Sequence, residues 1–306
     1  MANRDNARRT FIKTLGSTAA AVAAAGAPTG ASAASQGAPA ARHKWHLRYA
    51  PELSWWPEGS WSDKAALFAE HGFTATEYNW LLGHPLTEVE QMRKALDAHK
   101  LQLANFVAAI DGQPANRVQI ADPKTHDAHL ALWKKCVEYA NVAGNDFVVT
   151  GAGNYAGGSR SDQRRAIVDA FKKLGDLLEP TRVTAVVEPV SNPLTFFRTA
   201  DEIVEVLSAV GSKKVRLLFD FYHSQVTEGN LLAKVELYWD YIAYMQTGDV
   251  PGRLEPGTGE VNYRNVFKKV AEKGFTGIVG MEHGTSVPGR AGILKCIEAY
   301  EVVDTW

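Results

Sequence analysis

The sequence predicts an α/β protein with a (β/α)8 TIM barrel fold, and three observations lead to that fold class. Short apolar segments typical of strands alternate with longer amphipathic segments typical of helices. Eight segments of each kind follow residue 43 of the 306-residue chain, and eight is the number of strand–helix units in this barrel. The part of the chain that carries them also has the usual length of a single barrel domain.

The first 33 residues are predicted to be a twin-arginine signal peptide. Arg8 and Arg9 precede an alanine-rich apolar run at 15–27, and Ala31-Ser32-Ala33 has the small-x-small pattern of a cleavage site. The run is too short to remain as a stable membrane anchor. We therefore expect export to the periplasm or the cell exterior with loss of this segment, the alternative being an alanine-rich tail with a chance arginine pair.

A flexible linker rich in Ala, Ser, Gly and Pro is predicted at 34–42, and the catalytic barrel at 43–306. Loss of residues 1–33 moves the formal charge from −1 to −4, because that segment carries four basic groups and one acid. This charge does not favour binding of nucleic acid or of an anionic membrane. Cys136 and Cys296 fall in helix-like segments and are expected to be buried thiols, although export would also permit a disulfide.

The predicted elements alternate along the chain. Strands are predicted at 46–49, 75–78, 102–107, 146–150, 184–188, 215–220, 241–246 and 277–282. Helices are predicted near 62–71, 87–99, 125–143, 161–179, 199–210, 229–238, 262–273 and 289–300. Expected N-caps are Ser62, Thr87, Ser161 and Thr199, and expected helix stops are Gly72, Gly144, Gly211 and Gly274. A doubly wound open sheet is the alternative, but the residues after the first strand, 49–52, lack its glycine-rich phosphate loop.

Four predicted strands in the C-terminal half end with an oxygen-bearing side chain. These residues are Glu188, Asp220, Gln246 and Glu282. The carboxyl ends of all strands of a barrel meet at one mouth, so these side chains are expected to share a centre. Three carboxylates there would repel one another unless a cation compensates them. Oxygen ligands suit one divalent ion, Mn²⁺ or Mg²⁺, with Co²⁺ also tolerable.

A metal beside a hydroxycarbonyl substrate would polarise the carbonyl and stabilise an enediolate. Glu188 and Glu282 lie on different strands, so they are the expected pair that moves a proton between two carbons. His223 is expected to donate to a substrate oxygen or to support the metal. Arg253 is expected to clamp a carboxylate or terminal hydroxyl. Glu77 is a candidate substrate contact, for which a structural role fits equally well.

At these residues the chain resembles the hydroxypyruvate isomerase family, within the xylose isomerase-like barrels that include ketose 3-epimerases. The matching motifs are Val187-Glu188-Pro189, Asp220-Phe221-Tyr222-His223, Gln246-Thr247-Gly248-Asp249, Glu255-Pro256-Gly257-Thr258-Gly259-Glu260 and Gly280-Met281-Glu282. The resemblance implies proton exchange by Glu188 and Glu282, and a metal held by these two with Asp220 and Gln246. Gln246 is typical of the isomerase type, since the epimerases tend to carry histidine there.

Two departures from the family pattern leave the substrate open. The stretch after the third strand keeps only fragments of the family motif, among them Asn116-Arg117, and an export signal is unusual for intracellular glyoxylate metabolism. A tryptophan cluster after the first strand is compatible with a pocket wall or with core packing; it comprises Trp55, Trp56 and Trp61.

The leading hypothesis is therefore a metal-dependent isomerase of hydroxypyruvate, tartronate semialdehyde or a related small hydroxycarbonyl compound or sugar, compatible with a homo-oligomer. An epimerase of a free ketose would use the same two glutamates. A nuclease on the same barrel would need several metals and many histidine ligands, but only His223 and His283 stand near the relevant strand ends. A non-catalytic exported sugar-binding protein would not need both glutamates.

Overall fold

The computed structural model describes residues 43–113 and 115–306. The predicted signal peptide and linker lie outside these residues. The strands are β1 Arg48–Pro51, β2 Ala75–Thr76, β3 Gln102–Leu103, β4 Phe147–Thr150, β5 Thr184–Val187, β6 Val215–Asp220, β7 Ile242–Gln246 and β8 Ile278–Met281. The α-helices in this part of the chain are α1 Trp61–Glu70, α2 Leu86–Ala98, α3 His126–Ala143, α4 Arg160–Leu178, α5 Ala200–Val210, α6 Phe221–Thr227, α7 Leu231–Tyr238, α8 Tyr263–Glu272 and α9 Gly289–Val303.

The strands form a closed ring of eight, as predicted. Six of them pair side by side in the order β1-β8-β7-β6-β5-β4, and β2 pairs with β3. Single parallel bridges join the two groups, Glu52 with Glu77 on one side and Val107 with Val149 on the other. Every strand pair is parallel, which is the (β/α)8 barrel arrangement, so the open-sheet alternative is wrong.

Side chains alternate between the inside of the ring and the helix layer. In β6, Leu218 belongs to the small cluster inside the barrel, whereas Phe219 packs with the helices. Alanine and larger aliphatic residues, together with Tyr244, fill the inside of the barrel below its mouth. Cys136 and Cys296 are buried and unbonded to each other, which confirms the prediction of two apolar thiols. In the described part of the chain, no helix has the length and apolarity needed to cross a bilayer.

Helix ends agree with the sequence in part. Thr199 caps α5, and Gly144 and Gly211 end their helices in the left-handed conformation, as predicted. Ser60 and Ser159 cap α1 and α4. Three predicted caps are wrong because they lie within the first turns of α1, α2 and α4: Ser62, Thr87 and Ser161. For α1 and α4 the sequence offers two serines two residues apart, and propensity alone does not separate them.

Candidate active site

The predicted strand-end residues lie at the mouth of the barrel. Asp220 and Gln246 close β6 and β7 and lie opposite each other in the strand register. Glu188 directly follows β5, and Glu282 directly follows β8. Glu188 and Asp220, together with His223, each offer a ligand atom within 4.8 Å of the others. The barrel thus brings together residues that are far apart in the chain.

Glu188 is buried at this mouth and is held by an arginine. The Nη2 atom of Arg117 donates to Glu188 Oε2 at 2.7 Å. Burial alone would raise the pKa of Glu188, but the favourable interactions with Arg117, the His223 ring and Arg253 outweigh it and lower the pKa below the usual range. Sequence reasoning missed this role of Arg117. The sequence gives only a weak indication of this role, because Arg117 stands in a loop that retains only fragments of the family motif.

Asp220 organises the turn that leads out of β6. Its Oδ1 atom accepts hydrogen bonds from the backbone N–H groups of Tyr222 at 2.7 Å and His223 at 3.3 Å, so it is the N-cap of the short helix α6. The sequence did not predict α6. Because Oδ1 is used by the cap, Oδ2 is the oxygen of Asp220 that approaches His223 and Arg253.

The hydrogen bonds of His223 fix which of its ring nitrogens carries the proton. Nδ1 lies 3.1 Å from the backbone N of Ser191. A backbone N–H can only donate, so Nδ1 accepts and, in the neutral ring, Nε2 carries the hydrogen. Nε2 lies 3.6 Å from Glu188 Oε1 and 3.7 Å from Asp220 Oδ2. In this tautomer His223 is a hydrogen-bond donor facing the site rather than a lone-pair ligand.

Arg253 links Asp220 to Glu282. Its Nη2 atom lies 3.1 Å from Asp220 Oδ2 and contacts Glu282 Oε2. Asn79 holds the other oxygen of Glu282 through a 2.7 Å hydrogen bond from its Nδ2 atom. Burial raises the pKa of Glu282 above its usual range, although Arg253 partly opposes this shift. Arg253 therefore serves as a carboxylate-binding group within the site itself.

Glu77 lies beneath the mouth and is fully buried. Its Oε1 atom accepts hydrogen bonds from Tyr244 Oη at 2.8 Å, Asn105 Nδ2 at 2.8 Å and Gln246 Nε2 at 3.0 Å. Burial raises its pKa well above the usual value of 4.5. A side chain at Gly280 would overlap Glu77, since its Cβ would come within 2.0 Å of Oε1. The structure thus places Glu77 where it orients the amide of Gln246.

The donors at the mouth fit a divalent cation. The bond from Gln246 Nε2 to Glu77 leaves Gln246 Oε1 buried and without a hydrogen-bond partner among the described residues. A buried carbonyl oxygen in this state is costly unless a ligand satisfies it. The carboxylates of Glu188 and Asp220 add further oxygen donors of the type preferred by Mg²⁺ and Mn²⁺. Several such ions would suit these ligands.

Residues 65–300, most of the chain, match the family model described as xylose isomerase-like TIM barrel. The chain belongs to this family. It is 29% identical to the 2-oxo-tetronate isomerase of Cupriavidus necator over 252 residues, covering 80% of this chain and 96% of the relative. It is 26% identical to the hydroxypyruvate isomerase of Escherichia coli K12 over 231 residues, covering 74% and 88%. These relatives confirm the prediction that the chain is an isomerase.

Solved structures show the same fold. The crystal structure of an AP endonuclease, family 2, from Brucella melitensis superposes with a TM-score of 0.73 at 24% identity, covering 81% of this chain and 96% of that one. A D-psicose 3-epimerase solved in the presence of D-fructose superposes with a TM-score of 0.68 at 15% identity, covering 84% and 96%. At these identities the likeness concerns the barrel alone.

In this family member the glycine-rich loop after β7 is organised by Asp249. Asp249 Oδ2 accepts hydrogen bonds from the backbone N–H groups of Gly257 at 2.8 Å and Gly259 at 2.9 Å, and Oδ1 accepts one from Val261 at 3.0 Å. A Cβ atom at Gly259 would come within 2.1 Å of the Val250 carbonyl oxygen, so the close approach requires glycine. The buried carboxylate of Asp249 therefore holds the loop that carries Arg253.

Asp249→Asn is expected to lower the free energy of unfolding by about 3 kcal/mol, because the new amide would present donors to backbone donors. Urea unfolding measures this effect. Glu260→Gln is the matched control, since it makes the same chemical change on an exposed side chain of the same loop. Equal stability of the two variants would contradict the organising role of Asp249.

Glu52 is a second buried carboxylate that sequence reasoning missed. It follows β1, is 4% exposed, and accepts one hydrogen bond from the backbone N–H of Ser54 at 3.1 Å. Its Oε2 atom is buried and has no partner among the described residues. Burial raises the pKa of Glu52 from 4.5 to about 8. The folded protein therefore retains this proton at pH values where the unfolded chain has lost it.

The free energy of unfolding should consequently fall as the pH rises from about 5 to 8. Over this window the folded state keeps the proton on Glu52, whereas the unfolded state has already released it. Glu52→Gln removes the contribution of Glu52 to this dependence, while those of Glu77 and Glu282 remain in both proteins. We expect the variant to gain on the order of 3 kcal/mol over the parent protein between pH 5 and pH 8. Urea unfolding at both pH values measures the gain, with the exposed Glu58→Gln as control. A gain independent of pH would show that Glu52 ionises as it does in water.

Proposed function

We propose that the chain is a divalent-metal-dependent isomerase that interconverts small hydroxycarbonyl compounds, of the hydroxypyruvate and tartronate semialdehyde kind, by proton transfer between Glu188 and Glu282. The names of the relatives support this substrate class. The observation that carries the proposal is the placement of the two glutamates. They reach one barrel mouth from different strands, and separate partners hold them, Arg117 and Asn79.

The reaction needs one base for each of two neighbouring carbons. One glutamate removes the proton from the hydroxyl-bearing carbon, and the other delivers a proton to the former carbonyl carbon of the enediolate. A proton also passes between the two oxygens, so that carbonyl and hydroxyl exchange places. His223 is suited to stabilise the charge that develops on oxygen, because its Nε2–H faces the site. Arg253 is suited to clamp a terminal hydroxyl or a carboxylate of the substrate.

A divalent cation, when bound, supplies Lewis-acid polarisation of the substrate carbonyl. Its proposed ligands are Glu188, Asp220, Gln246 and Glu282. A free-ketose epimerase would use the same proton carriers, and Gln246 in place of the histidine typical of epimerases favours the isomerase.

Hydrogen–deuterium exchange tests the proposal directly. The metal-loaded protein is incubated in D₂O with a panel of hydroxycarbonyl acids and free sugars, and the products are analysed by NMR. We expect deuterium at the carbon beside the carbonyl, together with the isomeric product, for small hydroxycarbonyl acids. Exchange with free ketoses alone would favour the epimerase, and absence of exchange across the panel would refute both.

We also propose that the protein is exported by the twin-arginine route, on the strength of the arginine pair and cleavage pattern in the first 33 residues. Replacement of Arg8 and Arg9 by lysine is expected to retain the uncleaved chain in the cytoplasm. Mass spectrometry of the fractionated protein provides the measurement. Export and cleavage of the double variant would contradict the proposal.

A further inference from the structure

A cavity of about 750 Å³ lies beside Glu282 at the barrel mouth. Few of the residues that line it take part in the proposed proton transfer. It is bounded by residues that follow β1, β2, β7 and β8. Those that matter here are Glu52, Trp55, Asn79, Trp80, Arg253 and Glu282. The cavity is large enough to hold several atoms of a ligand beyond the reacting carbons.

Two buried oxygens on this wall have no hydrogen-bond partner among the described residues: Glu52 Oε2 and Asn79 Oδ1. Their side chains are 4% and 3% exposed. The other polar atom of each side chain already has a hydrogen-bond partner. Glu52 Oε1 accepts from the backbone N–H of Ser54, and Asn79 Nδ2 donates to Glu282. These bonds fix both side chains, so the free oxygens are in place before a ligand arrives. Because leaving such atoms unsatisfied costs about 1–3 kcal/mol each, a polar ligand group is expected there.

The chemistry of the wall determines which group fits. A hydroxyl can donate to Asn79 Oδ1 and can donate to or accept from the Glu52 carboxyl. A carboxylate can only accept, and Glu282 and Glu58 on the same wall would repel it. The guanidinium of Arg253, on that wall too, is already paired with Asp220 and Glu282. Trp55 and Trp80 add apolar surface of the kind that packs against the C–H groups of a polyol.

A second cavity at the mouth has the opposite character. It has a volume of about 400 Å³, adjoins Glu188, and is lined by Arg117 with neutral polar groups from Gln119 and Asn154. Glu188 is the single acid on its wall. The two ends of a substrate therefore meet different surroundings. On the Glu188 side the one acid is paired with Arg117 among neutral polar groups, whereas on the Glu282 side the acids outnumber the single arginine and two buried oxygens are free.

We propose that the cavity beside Glu282 binds the uncharged, hydroxylated end of the substrate, with Glu52 and Asn79 as its hydrogen-bonding groups. The enzyme then prefers hydroxycarbonyl acids that have at least one hydroxylated carbon beyond the three-carbon unit. The inference rests on the proposed function for the position of the reacting carbons. Glu52 and Asn79 are specificity-determining residues in this assignment.

Binding of two unreactive hydroxy acids tests the assignment. Glycerate and erythronate share a carboxylate and a neighbouring hydroxyl, and erythronate adds one hydroxylated carbon. Titration calorimetry with the Mn²⁺-loaded full chain is expected to show about tenfold tighter binding of erythronate, the effect of one hydroxyl that satisfies buried polar groups. Equal affinities would overturn the proposal and would indicate that water fills the cavity.

Variants show whether the preference depends on Glu52. Glu52→Met is expected to reduce the affinity ratio to about one, and Glu52→Gln to restore part of it, because the amide again offers hydrogen bonds. Glu90→Gln, on the exposed face of α2, should leave the ratio unchanged. If Glu52→Met does not fold, Trp80→Ala replaces it, since Trp80 is half-buried and its loss should also lower the ratio. A full tenfold ratio in the folded Glu52→Met or Trp80→Ala variant would overturn the proposal.

The D₂O experiment separates failure of this inference from failure of the proposed function. Exchange with three-carbon and four-carbon substrates at equal kcat/KM would overturn the cavity assignment and leave the isomerase in place. Preferential erythronate binding that depends on Glu52, without exchange in any substrate, would support the cavity assignment and refute the isomerase.

Discussion

Replacement of either Glu188 or Glu282 by glutamine is expected to lower kcat by about 10³-fold, within the range that a positioned acid or base contributes. An amide has nearly the shape of the carboxylate and keeps one oxygen for a metal, but it cannot carry the proton. Steady-state kinetics on the substrate found in the exchange experiment measures the loss, with metal content determined on the same samples. Full activity of Glu282→Gln with metal bound would refute its role in proton transfer.

The two variants should also differ from each other. In Glu188→Gln the remaining glutamate can still remove a proton from the carbon it faces, so one isomer should exchange in D₂O without turnover. In Glu282→Gln the other isomer should do so. This reciprocal pattern would assign each glutamate to one carbon. Glu260→Gln is the control for a carboxylate-to-amide change that lies outside the proton path.

The strand-end acids were predictable from the sequence because two strong rules act together. An apolar run identifies the strand, and the parallel barrel brings the carboxyl end of every strand to one mouth. For Glu188 and Asp220 the observed strands β5 and β6 end within one residue of the predicted positions. The carboxylates that would hold a metal could therefore be located without knowledge of any contact.

The partners of these acids could not be located in that way, because they follow irregular parts of the chain. Asn79 follows β2, which contains two residues, and Arg117 lies in the long loop after β3, which also contains two. Such short strands leave little periodicity to read. Glu52 was missed because β1 was predicted at 46–49, whereas the observed strand is Arg48–Pro51 and is followed directly by Glu52.

The direction of a hydrogen bond, that is, which atom donates and which accepts, also cannot be predicted from the spacing of residues in the sequence. The sequence allowed His223 to contact either substrate or metal, and the choice depends on Ser191, which lies 32 residues away and donates to Nδ1. In the same way, the bond from Gln246 Nε2 to Glu77 determines that Gln246 Oε1 is the free atom. Both distinctions arise from contacts between different strand–loop units, so they required the folded structure.

Removal of the metal is expected to abolish turnover, and addition of Mn²⁺ or Mg²⁺ after chelation is expected to restore it. The buried carboxylates need a positive charge at the mouth, and Gln246 Oε1 needs a partner. At a hundredfold excess over its Kd, a bound ion stabilises the fold by about 2.7 kcal/mol. For a domain of this size we expect Tm to rise by about 5–10 °C.

Asp220→Asn tests whether that rise comes from the predicted site. Asparagine is as good an N-cap as aspartate, so α6 should be retained while one anionic metal ligand is lost. The parent protein should show the full Tm shift with Mn²⁺, and the variant should show little or none, although both fold. Activity that survives chelation in protein shown to be metal-free would contradict the metal requirement. In that case the positive charge of Arg253 alone would have to compensate the negative charges of Asp220 and Glu282, both of which it already contacts.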